Sequence, residues 1–261
     1  MQTTPSQTTG TQRQPIHIPH QTDDGIGSRA TMGLVVLETD QTVENELRLL
    51  PLPGVALHHS RIANEMHINA ETLTAMLERL PKAAGLLPSI FDFDVIAYGC
   101  TSASTLIGDA GVEAAIHEAH PGVAVTNPIR AAVAALGALD ASKIGVLTPY
   151  SAAVTQPVID RFEADGFTVD AFGSFLVEDD FTVGRLSPDS VLEGLRIVAA
   201  EASVDALFVS CTSIRLFTEV ERFEDELGVP VVSSNLALAW HMLRLAGIDD
   251  RFEGFGRLLN L

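Results

Sequence analysis

The chain has 261 residues, 46% hydrophobic and 19% charged, with 16 Lys and Arg against 34 Asp and Glu for a formal charge of −18. That much apolar material can bury a core, which excludes wholesale disorder, and the length allows one large domain or two smaller ones. The acidic balance repels phosphate backbones and anionic lipid, so neither nucleic acid nor a membrane is expected as a partner.

No apolar run reaches the roughly 18 residues of a membrane helix, and the N-terminal segment lacks the apolar stretch of a secretion signal; a cytoplasmic protein is expected. Residues 1–28, rich in Thr, Gln, Pro and His, show almost no aliphatic periodicity and read as a disordered tail. Gly25-Ile26-Gly27 follows no strand and is not a nucleotide loop. From Ala30 short Val/Ile/Leu runs alternate with helical patterns. Strands are expected at Met32–Leu37, Val55–His58, Asp94–Tyr98, Val123–Thr126, Ile144–Thr148, Thr168–Gly173, Ala206–Ser210 and Val229–Ser233. Helices are expected at Ala70–Leu80, Ser104–Ala119, Pro128–Leu139, Ala152–Asp165, Ser187–Ala202, Ser213–Leu227 and Asn235–Leu245, with Gly166 and Gly228 at helix C-caps. Alternating βα units predict an α/β fold of parallel sheets with right-handed crossovers.

The chain repeats itself. Asp94-Val-Ile-Ala-Tyr-Gly-Cys-Thr-Ser matches Asp205-Ala-Leu-Phe-Val-Ser-Cys-Thr-Ser, and both cysteines, Cys100 and Cys211, fall at the same offset. Pro121-Gly-Val-Ala-Val-Thr-Asn127 is echoed by Leu227-Gly-Val-Pro-Val-Val-Ser-Ser-Asn235. The simplest architecture is two similar lobes of four parallel strands related by a pseudo-twofold axis. Open α/β sheets bind ligands beyond the carboxyl ends of their strands, so facing lobes would hold both thiols around one cleft.

Two cysteines make no disulfide framework, and matched strand-Cys-Thr-Ser contexts argue against two unrelated packing residues. A thiol at a helix N-terminus is expected to have its pKa lowered by the dipole and the free amides. Those amides, with the hydroxyls of Thr101, Ser102, Thr212 and Ser213, would cradle a carboxylate. Two thiols flanking one carbon can invert a stereocentre by removing and returning a proton; on an alkene they can serve as nucleophile and proton donor. Neither route calls for a cofactor. The histidines offer no zinc set, since His58 and His59 point to opposite faces of a strand and His117 and His120 lack acidic or thiol companions. Arg130 and Arg215 read as helix-surface residues.

At these residues the chain resembles the aspartate/glutamate racemase superfamily, and within it the branch of maleate cis-trans isomerase, arylmalonate decarboxylase and ectoine-utilisation protein A. Leu34-Val-Val-Leu-Glu-Thr-Asp-Gln-Thr-Val-Glu-Asn-Glu46 is similar to the first strand and loop of maleate isomerases, Gly145-Val-Leu-Thr-Pro-Tyr150 to a strand ending in an active-site tyrosine, and Val177-Glu-Asp-Asp-Phe-Thr-Val-Gly-Arg185 to a substrate-binding segment. The resemblance implies an Asp/Glu racemase-like fold with the active site between the lobes. The first lobe would be 29–126 plus 235–261 and the second 127–234, the lobes exchanging their final helices. It also implies a catalytic pair, Cys100 and Cys211, with Tyr150, Asp40 and Asp180 orienting a small carboxylate, and it allows a homo-oligomer. Asp40 and Asp180 stand where maleate isomerases carry Asn. An ionised Asp repels a dianion, so a substrate with one carboxylate and an amine or amide is expected, as in ectoine or hydroxyectoine breakdown. The alternatives are maleate isomerisation, arylmalonate-type decarboxylation and a non-catalytic ligand-binding relative. Decarboxylases of this branch keep only the second-lobe cysteine, and Cys100 argues against that chemistry.

Overall fold

The computed structural model describes residues 14–261; the part of the expected tail within 1–13 lies outside the described residues. Residues 14–28 contain no helix or strand and are almost all exposed. The first sheet begins with β1 (Ala30–Leu37), β2 (Val55–Ile62), β3 (Val95–Gly99) and β4 (Ala124–Thr126), ordered β2-β1-β3-β4. The second holds β5 (Lys143–Thr148), β6 (Thr168–Ser174), β7 (Ala206–Val209) and β8 (Val231–Ser233), ordered β6-β5-β7-β8. Every pairing is parallel. The central strands show why: Leu34, Val35 and Val36 of β1 and Leu207, Phe208 and Val209 of β7 are fully buried, as strands covered on both faces must be. The two sheets repeat one topology, as the sequence repeat requires.

Helices cover the faces. In the first half these are α1 (Val43–Leu47), α2 (Ala70–Ala84), α3 (Thr101–Ile107), α4 (Asp109–His117) and α5 (Pro128–Ala138); in the second, α6 (Ala152–Ala164), α7 (Asp180–Val183), α8 (Pro188–Glu201), α9 (Val220–Leu227) and α10 (Ser234–Leu245). Asn69 starts α2 with a capping box, accepting the amides of Glu71 and Thr72, and Leu73, Met76 and Leu80 form its buried stripe. Gly228 closes α9 in the left-handed conformation, φ 76°. The α10 helix returns to the first sheet, where Ala239, Met242 and Leu243 pack with Met32 of β1 and Leu57 of β2.

Three expectations need correction. The helix expected at Ser104–Ala119 is two, because Gly108 breaks it at φ 80°. The helix expected from Ser213 begins only at Val220, since Thr212–Glu219 is pinned by side chains of other elements in a non-helical course. Helix α2 runs past the expected stop at Leu80 and through Pro81, because Ala83 and Ala84 are buried and Gly85 closes the last turn onto the Pro81 carbonyl. The short α1 and α7 carry too little periodicity to be seen in the sequence.

Candidate active site

Cys100 follows β3 and is the N-cap of α3, with extended backbone at φ −141°. Cys211 follows β7 at φ 106°, a conformation a non-glycine residue holds only when its surroundings impose it. Both thiols line one enclosed cavity of about 20 Å³ between the lobes, room for about one water. Thr101, Ser102, Tyr150, Asp180 and Thr212 line it too.

The other two expected residues stand behind the wall. Asp40 is buried, its Oδ1 accepting the amides of Thr42 at 2.7 Å and Val43 at 2.9 Å, while its Oδ2 has no protein partner. Ser213 is buried, and its carbonyl accepts the Thr42 hydroxyl at 2.8 Å. Both are therefore engaged in holding the loops that carry the wall.

Asp180 opens α7, which Asp179 caps by accepting the Thr182 amide at 2.8 Å. Its Oδ2 accepts the Thr39 hydroxyl at 2.7 Å and the Asn64 amide group at 3.4 Å; among the described residues nothing bonds its Oδ1. Tyr150 is buried, with the Ser210 hydroxyl 3.4 Å from its phenolic oxygen. The roof comes from a segment that carries no motif: Asn64, Glu65, His67 and Ile68, between β2 and α2. It joins the opposite lobe where the Ile68 amide donates to the Glu178 carbonyl at 3.1 Å and His67 bridges Asp179. Sequence reasoning missed these four because an irregular polar loop has neither periodicity nor a repeat partner. Neither Arg130 nor Arg215 reaches the cavity, and among the described residues no Lys or Arg lines it.

The expected lowering of both thiol pKa values is overturned. Burial pushes Cys100 up to about 12; the Ala103 amide and the Ser102 hydroxyl work against it, and the charges of Asp180 and Asp40 add to it. Cys211 is pushed further in the same direction, again chiefly by burial and then by Asp180, against the Ser213 amide and the Tyr150 hydroxyl. The amides that follow each thiol act as anticipated, but in a buried, acid-lined cavity desolvation outweighs them. Only Cys100 has a helix after it. Burial also raises Asp180 and Asp40 above the ordinary carboxylate value.

Residues 58–259 match the family described as arylmalonate decarboxylase. The chain belongs to that family. The arylmalonate decarboxylase family includes relatives of other chemistry. A maleate isomerase of Nocardia farcinica is 32% identical over 242 residues, covering 87% of this chain and 94% of the relative. A maleate isomerase of Alcaligenes faecalis is 28% identical over 245 residues, covering 88% and 96%. A solved structure of the Nocardia farcinica maleate cis-trans isomerase superposes with a TM-score of 0.80 at 30% identity, covering 88% of this chain and 98% of that one. It is a cysteine-to-serine mutant with a covalently bound succinylcysteine intermediate.

Proposed function

We propose that this protein is a two-cysteine isomerase of a small unsaturated dicarboxylate, converting the cis acid to the trans acid without a cofactor. The observation that carries this reading is that Cys100 and Cys211, from equivalent positions of two lobes, line one enclosed cavity together with Tyr150. The likeness to maleate isomerases, one of them trapped as a succinylcysteine, supports the same chemistry.

The asymmetry of the thiols assigns their roles. Cys100 sits at the N-terminus of α3, whose first-turn amides favour a thiolate, so it is the nucleophile; Cys211, with no helix directly after it, stays a thiol and is the proton donor. Cys100, once deprotonated, adds to one alkene carbon, and the double-bond electrons take a proton from Cys211 at the other. The former double bond is now single and rotates. The Cys211 thiolate then takes that proton back, and the carbon–sulfur bond breaks to release the trans alkene and the Cys100 thiolate. Ser102 supplies a hydroxyl for one carboxylate, while the hydroxyls of Thr101 and Thr212 are donated to Ser234 Oγ and the Gly99 carbonyl and hold the wall in place. Asp180, raised by burial, serves the other in its protonated form, when it can donate a hydrogen bond.

A second reading has its own observation. Ionised Asp180, with Oδ1 unbonded in a cavity that no Lys or Arg lines, would pair with an ammonium or amide N–H. That fits a substrate with one carboxylate and an amino or amido group, the class expected of ectoine breakdown.

Proton NMR in D2O with maleate, aspartate, diaminobutyrate and N-acetylated diaminobutyrate tests both. Fumarate formed from maleate, and abolished in Cys100→Ser and Cys211→Ser, supports the first reading. Deuterium at the stereocentre of an amino acid without fumarate formation replaces it with the second. Thermal stabilisation by one of these acids with neither turnover nor exchange identifies a binding protein and overturns both.

A further inference from the structure

The repeat holds in sequence but breaks in structure just after the cysteines. In the first lobe Thr101 to Ile107 wind into α3, the Ser104 amide donating to the Cys100 carbonyl at 3.1 Å. The same Thr-Ser after Cys211 opens no helix, and the next begins only at Val220.

A helix here needs the Leu216 amide on the Thr212 carbonyl and the Phe217 amide on the Ser213 carbonyl. In the structure all four groups are taken by side chains. The amides of Leu216 and Phe217 donate to Glu46 Oε1 at 2.6 and 2.9 Å. The Thr212 carbonyl accepts from Asn235 Nδ2 at 2.9 Å, and the Ser213 carbonyl accepts from Thr42 Oγ1 at 2.8 Å. Asn235 Nδ2 also donates to Glu46 Oε2 at 2.7 Å, which closes the set. Glu46 and Thr42 belong to the first lobe, on or beside α1; the loop they hold belongs to the second.

We infer that Glu46 is the positioning residue for Cys211: its carboxylate reaches across the lobes and templates the unwound segment that keeps the thiol facing the cavity. This rests on the reading of Cys211 as one of the two working thiols. Cys211 sits at φ 106°, and strain of this kind persists only where neighbours over-determine the backbone. The three donors on one carboxylate, with the two carbonyl bonds, are that over-determination. Every group facing the Glu46 oxygens is a donor, so a neutral amide there must turn its own N–H groups against one of them.

Glu46→Gln tests this at constant size, at a pH above about 7 where Glu46 is ionised. The readouts are the alkylation rate of each thiol by iodoacetamide in the folded protein, resolved by peptide mass spectrometry, and kcat and KM on the unsaturated diacid. Cys211 should react at least about tenfold faster as its loop relaxes and exposes it, with Cys100 within about twofold. The kcat should fall at least about a hundredfold while KM stays within about threefold. A Cys211 rate equal to wild type overturns the assignment, as does equal acceleration of both thiols, which marks general loosening. If Glu46→Gln does not fold, Thr42→Val removes the hydroxyl on the Ser213 carbonyl; it should raise the Cys211 rate selectively, and no change there overturns the assignment. Absence of turnover in the wild type overturns the proposed reaction, while the ratio of thiol rates still decides the role of Glu46.

Discussion

Thr101 donates its hydroxyl to Ser234 Oγ at 2.8 Å, and that same oxygen accepts the Cys211 amide at 3.0 Å. A residue beside the first thiol is thus joined through one buried oxygen to the backbone of the second. Thr212 returns the link, its hydroxyl donating to the Gly99 carbonyl at 3.3 Å. Ser234→Ala leaves a buried amide and a buried hydroxyl unpaired, which costs about 2 kcal/mol. Calorimetry should show Tm lower by about 5 °C. The kcat should fall more than KM changes, because the bond sets the mutual position of the thiols rather than the substrate contacts.

The division between nucleophile and donor gives opposite traps. In Cys211→Ser the first addition should still occur, and mass spectrometry should find one substrate mass on Cys100. Cys100→Ser should carry none. In both variants turnover should fall at least about a thousandfold. An adduct on Cys211 in Cys100→Ser would reverse the assignment.

Asp180 and Cys100 are needed in opposite protonation states, and both are raised by burial. A rising pH ionises Asp180, which repels the diacid, while it supplies the Cys100 thiolate. The two effects oppose one another, so wild-type kcat/KM on a diacid should rise less steeply with pH than the supply of Cys100 thiolate alone would make it. Asp180→Asn keeps a hydrogen-bond donor at every pH. Its kcat/KM should therefore rise more steeply with pH than that of wild type and exceed it at the alkaline end.

Glu46 is pushed up to about 7 from an ordinary 4.5 by burial, against the bonds from Phe217, Asn235 and Leu216. The folded state then holds this proton more tightly than the unfolded chain. Its contribution to stability is full below pH 4.5 and is lost as pH rises through about 7. Urea unfolding at a series of pH values should show wild type losing about 3 kcal/mol relative to Glu46→Gln across that window. Asp180 drifts in the same direction but is present in both proteins and cancels, so the difference reports Glu46 together with its coupling to Asp40.

The inner strands β1, β3, β5 and β7 were readable because they are apolar runs buried on both faces, and burial on that scale leaves its mark on composition. The thiols were readable because the chain says Cys-Thr-Ser twice. The tertiary exceptions to local rules were not readable. Thr212-Ser-Ile-Arg-Leu-Phe217 opens with the same Thr-Ser as its helical twin, and it stays unwound because Glu46, 170 residues from Leu216, takes its amides. Likewise Asp40 was expected in the cleft, yet its Oδ1 is spent on the amides of Thr42 and Val43. The depressed thiol pKa values failed for a related reason: helix-start amides are local, whereas desolvation belongs to the assembled cavity.

The return of α10 to the first sheet bears on how the protein is made. Met32 and Leu57 are synthesised long before Ala239, Met242 and Leu243, which pack with them. Until α10 is made, that face of the first sheet lacks part of its cover, and a product truncated before residue 235 never gains it. Contacts spanning so much of the sequence also slow the search for the native state.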